Sequence, residues 1–183
     1  MPRKASSKSA AFKPTSVYSG PRGTTDTDYS SYAGSRLDWH TLKIFILGAL
    51  AFTVISFIVH MAGAMVDMGY YMMPAYFSVW SPLMMPIAGP PPIEFTYASL
   101  LFGFITGAIF VYCYTLVRRA MPGNNWLSKG LNYGMFVMLL AGLPTYMSMT
   151  LLINLPQGLL VSWLVQSFIT YELAGMAAAR FAR

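Results

Sequence analysis

Charged residues are scarce in this sequence. Asp, Glu, Lys and Arg make up 10% of its 183 residues, whereas hydrophobic residues make up 56%. A soluble domain usually devotes about a quarter of its residues to charge, which covers its surface. The composition therefore excludes an ordinary soluble protein and predicts an integral membrane protein.

Cysteine and histidine are almost absent, which limits cofactor chemistry. The single cysteine, Cys113, cannot form an internal disulfide, and the two histidines are His40 and His60. Twenty positions correspond to about 30 Å of helix, so one helix cannot bring both histidines to the same haem iron. A CxxCH motif for covalent haem is also missing. We predict a bound lipid and no metal site. His60 alone could still serve as the single protein ligand of a pigment or haem.

Sequence motifs of common enzymes are missing as well. The chain has no glycine-rich phosphate loop, HExxH, CxxC or GxSxG. Its basic residues avoid the apolar segments, a distribution typical of membrane topology signals rather than of nucleic-acid binding. We therefore predict a protein that is not an enzyme and that does not bind nucleic acid.

Four apolar segments are each long enough to cross a bilayer, for which a helix needs about 20 apolar residues. The predicted spans cover residues 42–66, 95–117, 131–153 and 156–179. They predict an all-α, four-transmembrane-helix bundle over residues 39–183. Residues 1–38 form a polar, basic tail whose composition is typical of disordered segments.

The twelve Lys and Arg residues lie only on alternate connections between the spans. Seven lie before or at the start of the first span, three lie between the second and third, and two follow the fourth. By the positive-inside rule this pattern predicts both termini on the cytoplasmic side. We expect a bacterial cytoplasmic membrane, with an organellar inner membrane or a thylakoid as the alternative.

Residues 67–94, which join the first two spans, contain six prolines. Because proline interrupts helices, this segment is not expected to cross the membrane. Its tyrosines and tryptophan favour the headgroup level. We predict an outer-side cap in the interface; the alternatives are an ordinary loop over the bundle and a re-entrant loop or lid.

The first span carries a stripe of polar residues. Thr53, Ser56, His60 and Asp67 lie on one face of the helix, which should therefore contact protein. His60 and Asp67 are expected near the outer boundary, together with Glu94, as a possible polar or ligand site. The alternative is an interfacial histidine bonded to a neighbouring helix or to water.

Glu172 is the only acidic residue well inside a predicted span. A carboxylate at the bilayer centre costs about 2.5 to 3.5 kcal/mol on insertion scales, so Glu172 should contact protein. With Gln166 it could form an intramembrane proton or cation site. The structural alternative is an ion pair with Arg180, two turns along the same helix, or with Arg118 or Arg119.

Small residues recur at four-residue spacing, which in lipid favours close helix packing. On the fourth span such a stripe continues into Gln166 and Thr170, and Pro144 predicts a kink in the third span. The predicted packing residues are Gly103, Gly107, Gly130, Gly134, Gly158 and Ser162.

These features favour a non-catalytic accessory subunit of a larger membrane complex, with a respiratory or photosynthetic complex as the preferred class. Methionine and aromatic residues are abundant, and such surfaces are common at partner contacts. The expected partners are membrane lipid and other membrane subunits. The alternative is a small oligomeric transporter or channel for ions, protons or small molecules, using Glu172, Gln166 and the His60 stripe. A third alternative is an enzyme of lipid metabolism, for which His60, Asp67 and Glu94 would be the only catalytic candidates.

Overall fold

The structure, a computed structural model, describes residues 39–87 and 89–182. The predicted basic tail, residues 1–38, lies outside the described residues. Within the described ranges the secondary structure is helical and contains no β-strand. Four of the helices are long and apolar enough to cross a membrane. The all-α class and the presence of four helices long and apolar enough to span a membrane are therefore confirmed.

The four long helices are α1 (Trp39–Tyr71), α2 (Ile93–Val117), α3 (Trp126–Leu152) and α4 (Gln157–Phe181). Helix α1 continues beyond residue 66, the predicted end of its span, so that Asp67 is part of the helix. Helix α3 begins before residue 131, because the Asn125 side chain accepts a hydrogen bond from the Ser128 N–H (2.7 Å) and caps its first turn.

Helix α3 contains a π-helical segment, Met138–Gly142, directly before Pro144. The Leu143 N–H donates to the carbonyl oxygen of Met138, five residues earlier. In a regular α-helix the Pro144 ring would clash with the Leu140 carbonyl, and a wider turn relieves that clash. The sequence predicts a kink here, and the π segment is the local change that accompanies the proline.

Helix α4 is central: α1 and the first half of α3 pack against it, and α2 packs against α1. The α3–α4 contact is made backbone to backbone. A Cβ atom on Gly134 would lie 2.6 Å from the Tyr171 carbonyl oxygen, and one on Gly130 would lie 2.6 Å from Met176 Cα. Larger side chains at these two glycines would separate the helices.

Helices α1 and α2 also approach closely at a glycine. A Cβ atom on Gly107 would lie 2.8 Å from the carbonyl oxygen of Ala49. The contact at Gly103 is looser, since its Cβ would lie 3.4 Å from the Thr53 methyl group. Gly107 is therefore the tighter packing position of the two.

An aromatic cluster fills the core where α2, α3 and α4 meet. The Tyr133 hydroxyl donates to the Phe110 carbonyl oxygen (2.7 Å), and the two rings are 4.8 Å apart. Tyr114 packs edge-on against Tyr133 at 5.1 Å. Edge-to-face pairs add about 0.5 to 1.5 kcal/mol beyond the burial of their area, so this cluster helps to hold α2 against α3.

Candidate polar site between α1 and α4

A cluster of three polar side chains lies between α1 and α4. Asp67, only 2% exposed, accepts hydrogen bonds at Oδ2 from the Ser162 hydroxyl (2.8 Å) and from Nε2 of Gln166 (3.0 Å). Nε2 of Gln166 also donates to Oγ of Ser162 (3.1 Å). The polar stripes recognised separately on the first and fourth spans therefore meet at Asp67.

Glycines beside the cluster allow the two helices to come together. Gly63 lies one turn before Asp67, and a Cβ atom there would overlap the side-chain amide of Gln166. Gly158 lies one turn before Ser162, and a Cβ atom there would overlap the Tyr70 hydroxyl. Each glycine thus makes room for a polar side chain from the other helix.

Aromatic rings pack one turn beyond Asp67. The Trp163 indole N–H donates to the Tyr71 hydroxyl (2.9 Å), and the Tyr71 ring lies 5.3 Å from that of Trp80. Trp80 comes from the proline-rich connection, is 9% exposed, and packs with Leu155 and Leu159. The buried tryptophan therefore packs the connection against the start of α4.

This aromatic contact was not predicted from the sequence, in which Tyr71 and Trp80 favour the membrane interface and Trp163 has no assigned role. The available signal was spacing: Tyr71 follows Asp67 by one turn and Trp163 follows Ser162 directly. Pairing Asp67 with Ser162 therefore brings the two rings within reach of each other.

His60 and Glu94 lie apart from Asp67. The His60 ring is exposed, and its Nδ1 donates to the Ser56 carbonyl oxygen (2.7 Å). Glu94 is exposed in the first turn of α2. Among the residues that the structure describes, no group of three or more His, Cys, Asp or Glu side chains could hold a metal ion. The structure therefore does not join His60, Asp67 and Glu94 into one ligand set, because Asp67 faces α4.

Glu172 borders a separate groove of about 430 Å³ between α3 and α4. Its Oε1 atom is buried and has no hydrogen-bond partner among the described residues. The predicted ion pair with Arg180 is not seen at this oxygen, and Arg180 is exposed in the last turn of α4. The remaining groove residues are Leu131, Asn132, Met135 and Phe168.

Gln166 and Glu172 lie on different faces of α4. Six positions along a helix leave the two side chains about 120° apart around its axis, so they lie on different faces. Gln166 is engaged with Asp67, whereas Glu172 borders the α3–α4 groove. The structure thus places Gln166 and Glu172 at two separate polar positions, and a joint role in proton or cation binding stays a prediction.

The Asp67 cluster could have a structural role, a chemical role, or both. Hydrogen bonds from Ser162 and Gln166 fasten α1 to α4. The same carboxylate is also a group that can take up a proton or a cation.

Comparison with known proteins adds no assignment of this site. No family model, curated protein or solved structure matches the chain. Its function is therefore inferred from the geometry of its own residues.

Proposed function

We propose that this chain is a non-catalytic accessory subunit of a larger membrane protein complex, with energy-converting complexes of the respiratory or photosynthetic kind as the favoured class. The observation that carries the proposal is the Glu172 carboxylate. It lies in a helix long and apolar enough to span a membrane, borders an open groove, and has one buried oxygen without a hydrogen-bond partner among the described residues.

The environment of Glu172 explains why a second protein is the favoured occupant. Lipid tails offer no hydrogen-bond donor, and a charged carboxylate at the bilayer centre costs about 2.5 to 3.5 kcal/mol on insertion scales. A membrane helix of another subunit that presents a donor at this depth would offset that cost. The apolar residues Leu131, Met135 and Phe168 provide packing surface for such a helix.

The wider surface of the chain is compatible with this role. Helix α3 exposes long apolar side chains along its π segment and the half that follows, where it has few contacts with α4. The most exposed of these side chains are Leu139 and Leu140 within the π segment, and Met147, Leu151 and Leu152 after it. This face is available to lipid and to neighbouring subunits.

His60 is the residue that we propose for ligation of a pigment or haem within such a complex. With Nδ1 bonded to the Ser56 carbonyl, Nε2 is the nitrogen on the other side of an exposed ring. A single histidine can hold one pigment or haem, or complete a site with another subunit. An absorption spectrum of the purified assembly tests this assignment.

Affinity purification of the tagged chain from its native membrane, in a gentle detergent or in nanodiscs, tests the subunit proposal. Mass spectrometry should identify other membrane subunits at stoichiometric levels. Glu172→Leu should reduce their recovery at least tenfold, because leucine cannot accept the partner's hydrogen bond. Glu94→Leu is the matched control, since Glu94 is an exposed carboxylate away from the groove, and it should leave recovery unchanged. Recovery of the chain alone, as a homo-oligomer, would contradict the proposal.

We also propose that the start of α1, at Trp39, and the end of α4, at Phe181, both face the cytoplasm of a bacterial cell. All twelve basic residues lie in segments that would share that side. On this orientation the proline-rich connection that carries Trp80 is the outer-side cap, and the α2–α3 loop is cytoplasmic.

A small oligomeric transporter is the second candidate, and one observation favours it. The polar stripes of α1 and α4 converge on a buried carboxylate, Asp67. Intramembrane carboxylates are common in proton and cation pathways. A transporter would use Asp67 as the site of uptake and Glu172 as a second polar position.

Reconstitution into liposomes separates this candidate from the first. A transporter should dissipate an imposed proton or cation gradient, and Asp67→Asn should abolish that activity while Glu94→Gln should not. Gradients that decay no faster than in empty liposomes would remove the transport proposal and leave Asp67 with its structural role.

A further inference from the structure

A basic cavity of about 400 Å³ lies at the end of the bundle where α2 ends, α3 begins and α4 ends. Its size falls within the range of about 300 to 1,000 Å³ that is usual for small-ligand sites. The cationic side chains come from the end of α2 and from the first turn of α3. The residues that define it are Tyr114, Arg118, Arg119, Asn125, Trp126 and Lys129.

Arg118 is held at the edge of this cavity by the end of α4. Its Nη1 donates to the carbonyl oxygen of Ala182 (2.6 Å), one of the terminal carbonyls that a helix leaves without an internal partner. A guanidinium carries five N–H donors, so this bond fixes the group and leaves others for a ligand. Arg118 therefore has both a defined position and remaining donor capacity.

Among the described residues that line the cavity, every charged side chain is cationic. Arg118, Arg119 and Lys129 all line it, and no Asp or Glu is present among its described lining residues. Asparagine side chains on its rim and the nearby first turn of α3 add hydrogen-bond donors and a favourable dipole. Such a cavity suits an anion with several acceptor oxygens, which is the chemistry of a phosphate group.

The position of the cavity indicates where that phosphate comes from. Its walls are the ends of three apolar helices that are able to span a membrane, so it lies where hydrocarbon gives way to water. Trp126 and Tyr114 line it, and aromatic side chains of this kind are enriched at the headgroup level. Basic pockets between membrane helices are suited to anionic lipid headgroups.

We propose that the cavity formed by Arg118, Arg119 and Lys129 binds the phosphate of an anionic phospholipid headgroup. This site is independent of the Glu172 groove and of the subunit proposal. A soluble phosphate compound could make the same contacts, but it would not be concentrated at the membrane surface. The experiment below distinguishes a lipid headgroup from a soluble phosphate.

Native mass spectrometry of the full, delipidated chain tests the proposal, using phosphatidylglycerol and phosphatidylcholine with identical acyl chains. Phosphatidylglycerol should bind at least tenfold more tightly. Each basic residue near a charged membrane surface is worth about fivefold in binding, so Arg119→Gln/Lys129→Gln should weaken phosphatidylglycerol binding about 25-fold. Arg118 is left intact because it also holds the end of α4.

The matched control is Lys43→Gln/Arg180→Gln, which removes the same charge from exposed positions outside the cavity. It should change phosphatidylglycerol binding by less than about twofold, because neither side chain lines the cavity and exposed charges are screened by water and salt. An equal loss in both double variants, or equal binding of the two lipids, would overturn the proposal. Displacement of phosphatidylglycerol by an equimolar amount of inorganic phosphate would overturn the lipid assignment. If the cavity double variant does not fold, Arg119→Gln and Lys129→Gln are measured singly, with about fivefold expected for each.

Discussion

Asp67 is the residue whose loss should disturb the α1–α4 contact most directly. Asp67→Ala leaves the donors of Ser162 and Gln166 without their shared acceptor. Hydrogen bonds between membrane helices average about 0.6 kcal/mol and reach about 1.7 kcal/mol, so losing two should lower the free energy of unfolding by about 1 to 3 kcal/mol. Unfolding in mixed micelles measures this change.

A double-mutant cycle isolates the Asp67–Ser162 bond. We expect a coupling energy of about 0.5 to 1.5 kcal/mol between Asp67→Ala and Ser162→Ala. Asp67→Asn should cost less than Asp67→Ala, because the amide oxygen still accepts. Ser148→Ala removes an exposed hydroxyl from α3 and serves as the control. Additive effects of Asp67→Ala and Ser162→Ala would show that the bond contributes nothing.

Trp80 is the residue that should hold the proline-rich connection against α4. Its ring packs against Tyr71 and Trp163, and its buried Nε1 has no hydrogen-bond partner among the described residues. Trp80→Ala should cost about 3 kcal/mol or more through lost packing and speed hydrogen exchange in residues 72–87. Trp80→Phe should cost less, because it keeps an aromatic ring and removes the unpaired donor.

Trp39→Ala is the control for this measurement, since Trp39 is an exposed tryptophan at the start of α1. It should leave exchange in residues 72–87 unchanged. Unaltered exchange in Trp80→Ala would mean that the connection is held by other contacts.

At the scale of whole helices, the α3–α4 contact depends on paired small residues. A Cβ atom on Gly175 would overlap the carbonyl oxygen of Gly130, which backbone rigidity prevents from moving aside. Gly175→Ala should therefore lower the free energy of unfolding by about 1 to 3 kcal/mol, the usual cost of overpacking. Chemical unfolding in mixed micelles provides the measurement.

Gly69 is the matched control for this substitution. It also lies in a helix, but a Cβ atom there has no neighbour within 4 Å. Gly69→Ala should be neutral or stabilise by up to about 1 kcal/mol, because alanine favours the helical backbone. Equal destabilisation by both substitutions would attribute the effect to the loss of glycine itself and not to the Gly130 contact.

The number and type of helices could be predicted from the sequence because long apolar runs have few other solutions in a membrane. The position at which α1 ends could not be predicted in the same way. Aspartate is an acidic residue, and such residues are rare within apolar spans, so its chemistry alone favours the end of a span. In the structure Asp67 accepts hydrogen bonds from Ser162 and Gln166, 95 and 99 positions away, which stabilise its side chain within the helix.

The candidate site was predictable as two polar stripes but not as one cluster. Helical periodicity places Asp67 on one stripe and Gln166 on another, yet it contains no information about which faces meet. The same limit applies to Glu172. Its spacing from Arg180 favours an ion pair, whereas its Oε1 is buried and has no hydrogen-bond partner among the described residues. Side-chain pairing is decided by helix rotation, which periodicity does not specify.

At the scale of the whole molecule, the distribution of positive charge should determine the orientation in the membrane. The α2–α3 loop carries Arg118, Arg119 and Lys129, whereas the connections between α1 and α2 and between α3 and α4 carry no Lys or Arg. The loop should therefore stay in the cytoplasm and the proline-rich connection should be outside. Single cysteines in a Cys113→Ala background can report both positions, since Cys113 is the only native cysteine.

Leu83→Cys and Asn124→Cys are the two reporters, because both positions are exposed, one on each side of the expected membrane. A membrane-impermeant maleimide applied to intact bacterial cells should label Leu83→Cys at least tenfold faster than Asn124→Cys. Permeabilisation should bring the two rates close together, which controls for reactivity of the thiols themselves. The reverse preference in intact cells would invert the orientation and move the basic cavity to the outer leaflet. Equal labelling would indicate mixed insertion, in which the positive charges do not fix the topology.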